Sequence, residues 1–153
     1  MLNGIVLRLG IIVAVALATW LAVILVRAYA ELRKRQVLAA APSDDLPGVP
    51  GVTPLDAGIR VLAFSSEDCS PCHTLQRPAL DRLLTERRGQ VSVVEIDAPS
   101  SPELTQRYAV LTVPTTVVLD ASGKAHAVNY GFAPMGKLLA QVDAALGTQE
   151  LSA

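Results

Sequence analysis

An 18-residue stretch without a single charge, Leu9 to Val26 (LGIIVAVALATWLAVILV), constrains this chain more than any other feature. A run that is apolar on every side has no face to offer water, and a helix is the structure that satisfies its backbone internally. Its length is close to the lower limit for crossing a hydrocarbon core about 30 Å thick. Gly4, Ile5, Val6 and Leu7 extend it to residues 4–27 if Arg8 snorkels toward the headgroups. A core helix of a soluble domain is the bland alternative, but a domain of this size rarely hides a helix that is apolar all round. A cleavable export signal is a second alternative, because Ala28-Tyr29-Ala30 has small-x-small spacing. Against cleavage, the run is longer than a usual signal core, and only Arg8 and the α-amino group precede it. The expectation is a single pass through the cell membrane, with the lipid bilayer as a partner. Arg27, Arg33, Lys34 and Arg35 follow the span while Arg8 alone precedes it. The positive-inside rule then puts the rest of the chain on the cytoplasmic side, with the extracytoplasmic side as the alternative.

Composition agrees with one ordinary domain plus this appendage. The 153 residues are 51% hydrophobic but only 4% aromatic, the excess being packed into the first thirty. A net charge of -1 argues against a nucleic-acid partner, which needs a clustered basic face. Four segments are expected: a membrane helix with its basic flank over 1–38, a Pro/Gly-rich linker over 39–58, a folded domain over 59–148 and a tail over 149–153. The linker reading rests on APSDDLPGVPGVTPLDAG, which has too little to bury for a core of its own.

The domain reads as alternating strands and helices. Ile59 to Phe64 is a buried strand, and Pro71 to Arg88 is a helix with Leu75, Ala79, Leu80, Leu83 and Leu84 on one stripe, kinked at Pro78 and stopped by Gly89. Val91 to Ile96 is the second strand and Ser101 to Tyr108 a short helix. Thr115 to Leu119 and Lys124 to Tyr130 form a hairpin about the turn Asp120-Ala121-Ser122-Gly123. Pro134 to Leu146 closes the domain as an amphipathic helix. The order β-α-β-α-β-β-α implies an α/β layer structure with mixed strand directions.

Cys69-Ser70-Pro71-Cys72 holds both cysteines of the chain, between the first strand and the first domain helix. Thiols at this spacing can close a small disulfide with little backbone movement. A sulfur at a helix N-terminus is favoured as thiolate by unpaired N–H groups and the helix dipole. The pair therefore points to dithiol–disulfide exchange. Cys69, at the helix start and more exposed, is the candidate nucleophile, and Cys72, one turn in and more buried, the resolving thiol. Pro71 stiffens the turn between them.

Val61 to Cys72 (VLAFSSEDCSPC) resembles the strand-to-active-site segment of the thioredoxin family. Tyr108 to Thr115 (YAVLTVPT) is similar to that family's cis-proline segment, and Gly131 matches the glycine preceding its last helix. The resemblance covers about Ile59 to Leu146. It implies a thioredoxin-like fold, a central mixed sheet of about four strands flanked by helices. It also implies an enzyme that exchanges electrons with disulfides of protein substrates, fed by an unidentified electron donor and needing no cofactor. Val113 and Pro114 would then meet across a cis bond beside the cysteines and present backbone to an extended substrate.

Some positions depart from the family pattern. Asp68 stands where many members carry Trp, and it places a carboxylate beside the nucleophile, opposing the dipole. Ala63 stands where many members bury an acid, and Ser65 replaces a second Trp. The family's first strand and helix are missing, which leaves one sheet edge open or covered by Val52-Thr53. His73 follows the resolving cysteine and would favour thiolate when protonated.

Three rival readings accompany this one. Cys69 to His73 also spells C-x-x-C-H, the attachment pattern of c-type haem, with Met135 or His126 as a second ligand. Zinc could draw on Cys69, Cys72, His73 and His126, though structural sites favour two paired clusters, and no metal is expected. Lastly, the scaffold could bind or chaperone clients at the membrane without turnover.

Overall fold

In the computed structural model, which describes residues 2–39 and 58–150, the chain divides into two compact units, Met1–Arg35 and Gln36–Ala153. Helix α1 runs over Leu2–Ala39 and accounts for the first unit. Within Ile11–Leu38 an 18-residue stretch reaches a mean hydropathy of 2.5, and the helix is long and apolar enough to cross a membrane. Residues 11–29 are exposed throughout, Ile11, Trp20 and Leu25 at 55%, 65% and 61%, so no stripe of that stretch is spared. At the far end of the helix, beyond its apolar run, Arg33 Nε donates to the Tyr29 hydroxyl and stacks over its ring.

The second unit is built on a four-stranded sheet in the order β2-β1-β3-β4. Strand β1 (Ile59–Ser65) pairs in parallel with β2 (Val91–Asp97) and antiparallel with β3 (Thr115–Leu119), which pairs antiparallel with β4 (Ala125–Tyr130). Covered on both faces, the central strands β1 and β3 are buried along nearly their whole length, and Val61 to Phe64 and Val117 to Leu119 are continuous apolar runs rather than alternating ones. Ile59, Val61 and Ala63 point into one apolar cluster with Leu80, Leu83, Leu138 and Val142. Those partners come from α2 (Arg77–Glu86) and α4 (Met135–Glu150). Leu62 and Phe64 point into the other cluster, with Leu104 and Tyr108 at helix α3 (Pro102–Arg107) and its C-cap. Val37, inside the second unit, is also buried in that cluster, a core position that the sequence pattern assigned to the membrane segment. Val52-Thr53 and the 149–153 tail lie outside the described residues, apart from the backbone of 149 and 150.

Two local features differ from the expected elements. The single helix over Pro71–Arg88 is in fact a π-helical turn, Cys72–Gln76, followed by α2, which ends at Glu86. The Arg77 N–H reaches the Cys72 carbonyl, five residues back, just ahead of Pro78, whose ring lacks an N–H and crowds the preceding turn. Distortion therefore appears upstream of the proline as a widened turn. The second feature is a register shift in the hairpin: Val118 faces Ala127 but Leu119 faces Ala125. His126 is the extra residue of this bulge, and its Nε2 lies 3.1 Å from Asp120 Oδ2.

Helix α3 stops by a Schellman arrangement. The Val110 N–H reaches the Thr105 carbonyl and the Ala109 N–H the Gln106 carbonyl. This puts Ala109, a residue with a Cβ, in the left-handed region at φ 49°. The chain is thereby turned back toward the sheet, where the Val113–Pro114 peptide is cis and leads into β3.

Candidate active site

Strand β1 ends at Ser65, and four residues later Cys69 stands at the start of the helical segment. Cys69 and Cys72 are joined by a disulfide with a Cα–Cα separation of 5.3 Å. Pro71, at φ -63° and ψ -27°, is helical backbone that costs the ring nothing. Both cysteines are buried, Cys69 at 8% and Cys72 at 5% exposure, an order that agrees with the expected one by a narrow margin. Hydrogen bonding separates them better. The Cys72 N–H donates to Cys69 Sγ at 3.2 Å and also lies 3.0 Å from the Cys69 carbonyl. A backbone donor aimed at one sulfur favours negative charge there.

The loop before the cysteines is tied down at both ends. The Cys69 N–H donates to the Ser66 carbonyl, and the Ser70 N–H to the Asp68 carbonyl, both at 3.1 Å. His73 Nε2 donates to the Glu67 carbonyl at 3.1 Å, which fixes its ring against the loop. Asp68 is exposed beside Cys69.

Pro114 joins Cys72 in lining a cavity of about 30 Å³, and Ala63 forms part of the same wall. That volume holds about one or two waters. The mouth carries the Arg77–Glu95 ion pair, with Nη2–Oε2 at 2.7 Å and both side chains about half exposed. The guanidinium is shifted upward by its hydrogen bond to Glu95. Since Ala63 faces Glu95 across β1 and β2, the acid nearest this wall comes from the neighbouring strand.

Gly131, at φ +78°, donates its N–H to the Pro114 carbonyl at 2.8 Å, so the loop after β4 closes over the cis-proline. Two residues on, Ala133 is completely buried and exchanges two hydrogen bonds with Gln76. Sequence reasoning missed Gln76, Arg77 and Glu95. Gln76 falls on the apolar stripe four residues after Cys72, and a polar residue there was the available signal.

The structure does not bring His126 to the cysteines. Leu119 pairs with both Arg60 and Ala125, which sets the hairpin turn at the end of the sheet where β1 begins, opposite the disulfide. His126 is engaged there by Asp120. The four-ligand zinc set is therefore not assembled.

Residues 55–144 match the family described as Thioredoxin. The chain belongs to the thioredoxin family. It is 32% identical over 90 residues to thioredoxin C-2 of Corynebacterium nephridii, covering 58% of this chain and 82% of that one. To the thioredoxin of Rhodospirillum rubrum it is 30% identical over 89 residues, covering 58% and 84%. Among solved structures, chloroplastic thioredoxin z superposes with a TM-score of 0.53 at 24% identity, covering 60% of this chain and 81% of that one. Malaria parasite thioredoxin-2 gives 0.54 at 20% identity, covering 59% and 85%. The thioredoxin-like fold and the activity class, thiol–disulfide oxidoreduction, follow from this membership.

Proposed function

We propose that this chain is a membrane-tethered reductase of disulfides in protein substrates, its domain held on the cytoplasmic face by residues 4–27. The reading is carried by the Cys69–Cys72 disulfide at the start of a helix, with the Cys72 N–H directed at Cys69 Sγ. The thiolate of Cys69 attacks one sulfur of a client disulfide, forming a mixed disulfide and releasing a client thiolate that takes up a proton. Cys72 then loses its proton and attacks Cys69 Sγ, releasing the second client thiol and leaving the Cys69–Cys72 disulfide. A dithiol donor must return two electrons and two protons for another turn. The backbone around cis Val113–Pro114, beside Cys72 in the lined cavity, would hold the client strand. Asp68 and the protonated form of His73 tune the thiolate in opposite senses.

The tether rests on α1 being apolar on all sides, and its direction on the four cations that follow the span against one before it. A cytoplasmic domain meets a reducing glutathione pool, which sets the direction. Two experiments test this with the full chain. Insulin reduction by dithiothreitol should fall to the uncatalysed rate in Cys69→Ser, while Cys72→Ser should trap clients as mixed disulfides. Trapping by Cys69→Ser instead would reverse the roles. A reporter fused to the C-terminus should read as cytoplasmic, and an external reading would remove the reductase direction.

A further inference from the structure

We propose that Gln76 is a positioning residue, locking the helical turn that carries Cys72 to the loops that receive a client strand. The inference rests on the reading above, in which Cys69 and Cys72 exchange with protein disulfides.

Gln76 is 3% exposed on a stripe otherwise made of apolar side chains. Its amide is used in both directions: Nε2 donates to the Ala133 carbonyl at 3.2 Å, and Oε1 accepts the Ala133 N–H at 2.9 Å. This bridges 57 residues and satisfies both backbone groups of a residue with no exposure. A carboxylate could serve only one of those groups, and an apolar side chain neither. From Ala133 the connection runs through Gly131, whose N–H holds the Pro114 carbonyl. Helical turn, closing loop and cis-proline loop are thus joined through Gln76, and Gln76, Cys72 and Pro114 line one cavity.

The turn needs an external hold. Between Cys72 and Gln76 the ladder is π-type, with the Arg77 N–H on the Cys72 carbonyl, and Pro78 adds no N–H beyond it. Such a widened turn interrupts the regular i→i−4 ladder of the helical segment that carries Cys72. With Gln76 in place, the distance from the dithiol to the client-binding backbone is set by the protein before a client arrives, which lowers the ordering cost of binding. A small disulfide that touches only the sulfurs gains nothing from that arrangement.

The test compares two probes on the full chain in detergent micelles: insulin reduction, and single-turnover reaction of the reduced protein with the small aromatic disulfide of Ellman's reagent. Gln76→Met keeps the side-chain length and removes both hydrogen bonds. It should raise KM for insulin about fivefold, equivalent to one net hydrogen bond, with kcat and the small-disulfide rate little changed. Amide exchange at Gly131 and Ala133 should quicken, while that of Leu83 stays as in wild type. Equal losses with both probes, or an unchanged insulin KM, would overturn the proposal. If Gln76→Met does not fold, the same measurements are read on Gln76→Glu, which keeps the acceptor for the Ala133 N–H. Failure of both variants to fold would assign Gln76 to stability alone and overturn it as well. Wild type inert toward both probes would instead remove the underlying reductase reading.

Discussion

The two ends of the sheet are held together by different means. At the hairpin end, Asp120 accepts hydrogen bonds from the Ser122 hydroxyl at 2.6 Å and the Lys124 N–H at 3.0 Å, and pairs with His126 at 3.1 Å. No partner is more than six residues away. At the disulfide end, Gln76 reaches Ala133 across 57 residues and Gly131 reaches Pro114. Local contacts re-form whenever the turn forms, whereas distant ones exist only in the assembled fold. The end with chemistry is therefore the end where a buried side-chain amide makes the long-range connection, whereas at the hairpin end the long-range side-chain contact is the exposed pair of Arg87 and Asp143. Damage at the hairpin should reach stability alone, and damage at the disulfide end should reach exchange.

Asp120→Ala gives the largest expected change in stability. Removing a mostly buried acceptor with three donors should cost about 2 kcal/mol, read from urea midpoints, with insulin KM and kcat unchanged. Burial pushes the Asp120 carboxyl up, but the Ser122, Lys124 and His126 donors outweigh it and hold it below its usual 3.8. A carboxyl depressed in the folded state lends stability that is present above the unfolded value and is lost as pH falls through the folded one. The difference between wild type and variant should accordingly be full above about pH 5 and shrink below 3.8. A changed KM for insulin would mean that the two ends communicate.

Ala109→Gly probes the other end, with a smaller effect of opposite sign. At φ 49° the Cβ is strained, and glycine should raise stability by about 0.5–1 kcal/mol after its own entropy cost. If stability falls instead, the buried methyl, 9% exposed, outweighs the strain. The same substitution loosens the segment leading to cis Val113–Pro114, so any rise in insulin KM at gained stability would mark this end as functionally sensitive.

How far the sequence revealed each end follows the same division. Strands Ile59 to Phe64 and Thr115 to Leu119 were legible because each carries a short continuous apolar run, Val61 to Phe64 and Val117 to Leu119, as a doubly covered strand does. The turn at Asp120 to Gly123 was legible because its chemistry lies within four residues. The cysteine pair was legible for the same reason, and family resemblance supplied the cis bond. What stayed hidden needed a partner from elsewhere. The widened turn at Cys72 to Gln76 keeps the apolar stripe of an ordinary helix, and the role of Gln76 exists only once Ala133 arrives beside it. The bulge at His126 leaves the residues of the strand unchanged and alters only their pairing. Val37 was read as part of the basic flank that continues the membrane helix, although it is buried in the core of the second unit.

Among the described residues each end also carries an exposed ion pair, and these two set the smallest prediction. Arg87, which caps α2 at the hairpin end, binds Asp143 of α4 through both carboxylate oxygens, at 2.8 and 2.9 Å. Arg77 binds Glu95 in the same manner at 3.1 and 2.7 Å, over the mouth of the cavity beside Cys72. Exposure is 28% and 45% for the first pair and 55% and 51% for the second, so water screens the second more. Arg87→Ala should lower Tm by a few degrees at most, and Arg77→Ala by less, with both losses fading in concentrated salt. The Asp143 carboxyl is held below 3.8 mainly by its hydrogen bond from Arg87, so that pair contributes above this value and is lost on acidification. Wild type and Arg87→Ala should therefore converge in stability well below pH 3.8. Should Arg77→Ala prove the costlier change, the disulfide end would depend on its surface pair as well as its buried amide, and the contrast between the two ends would widen.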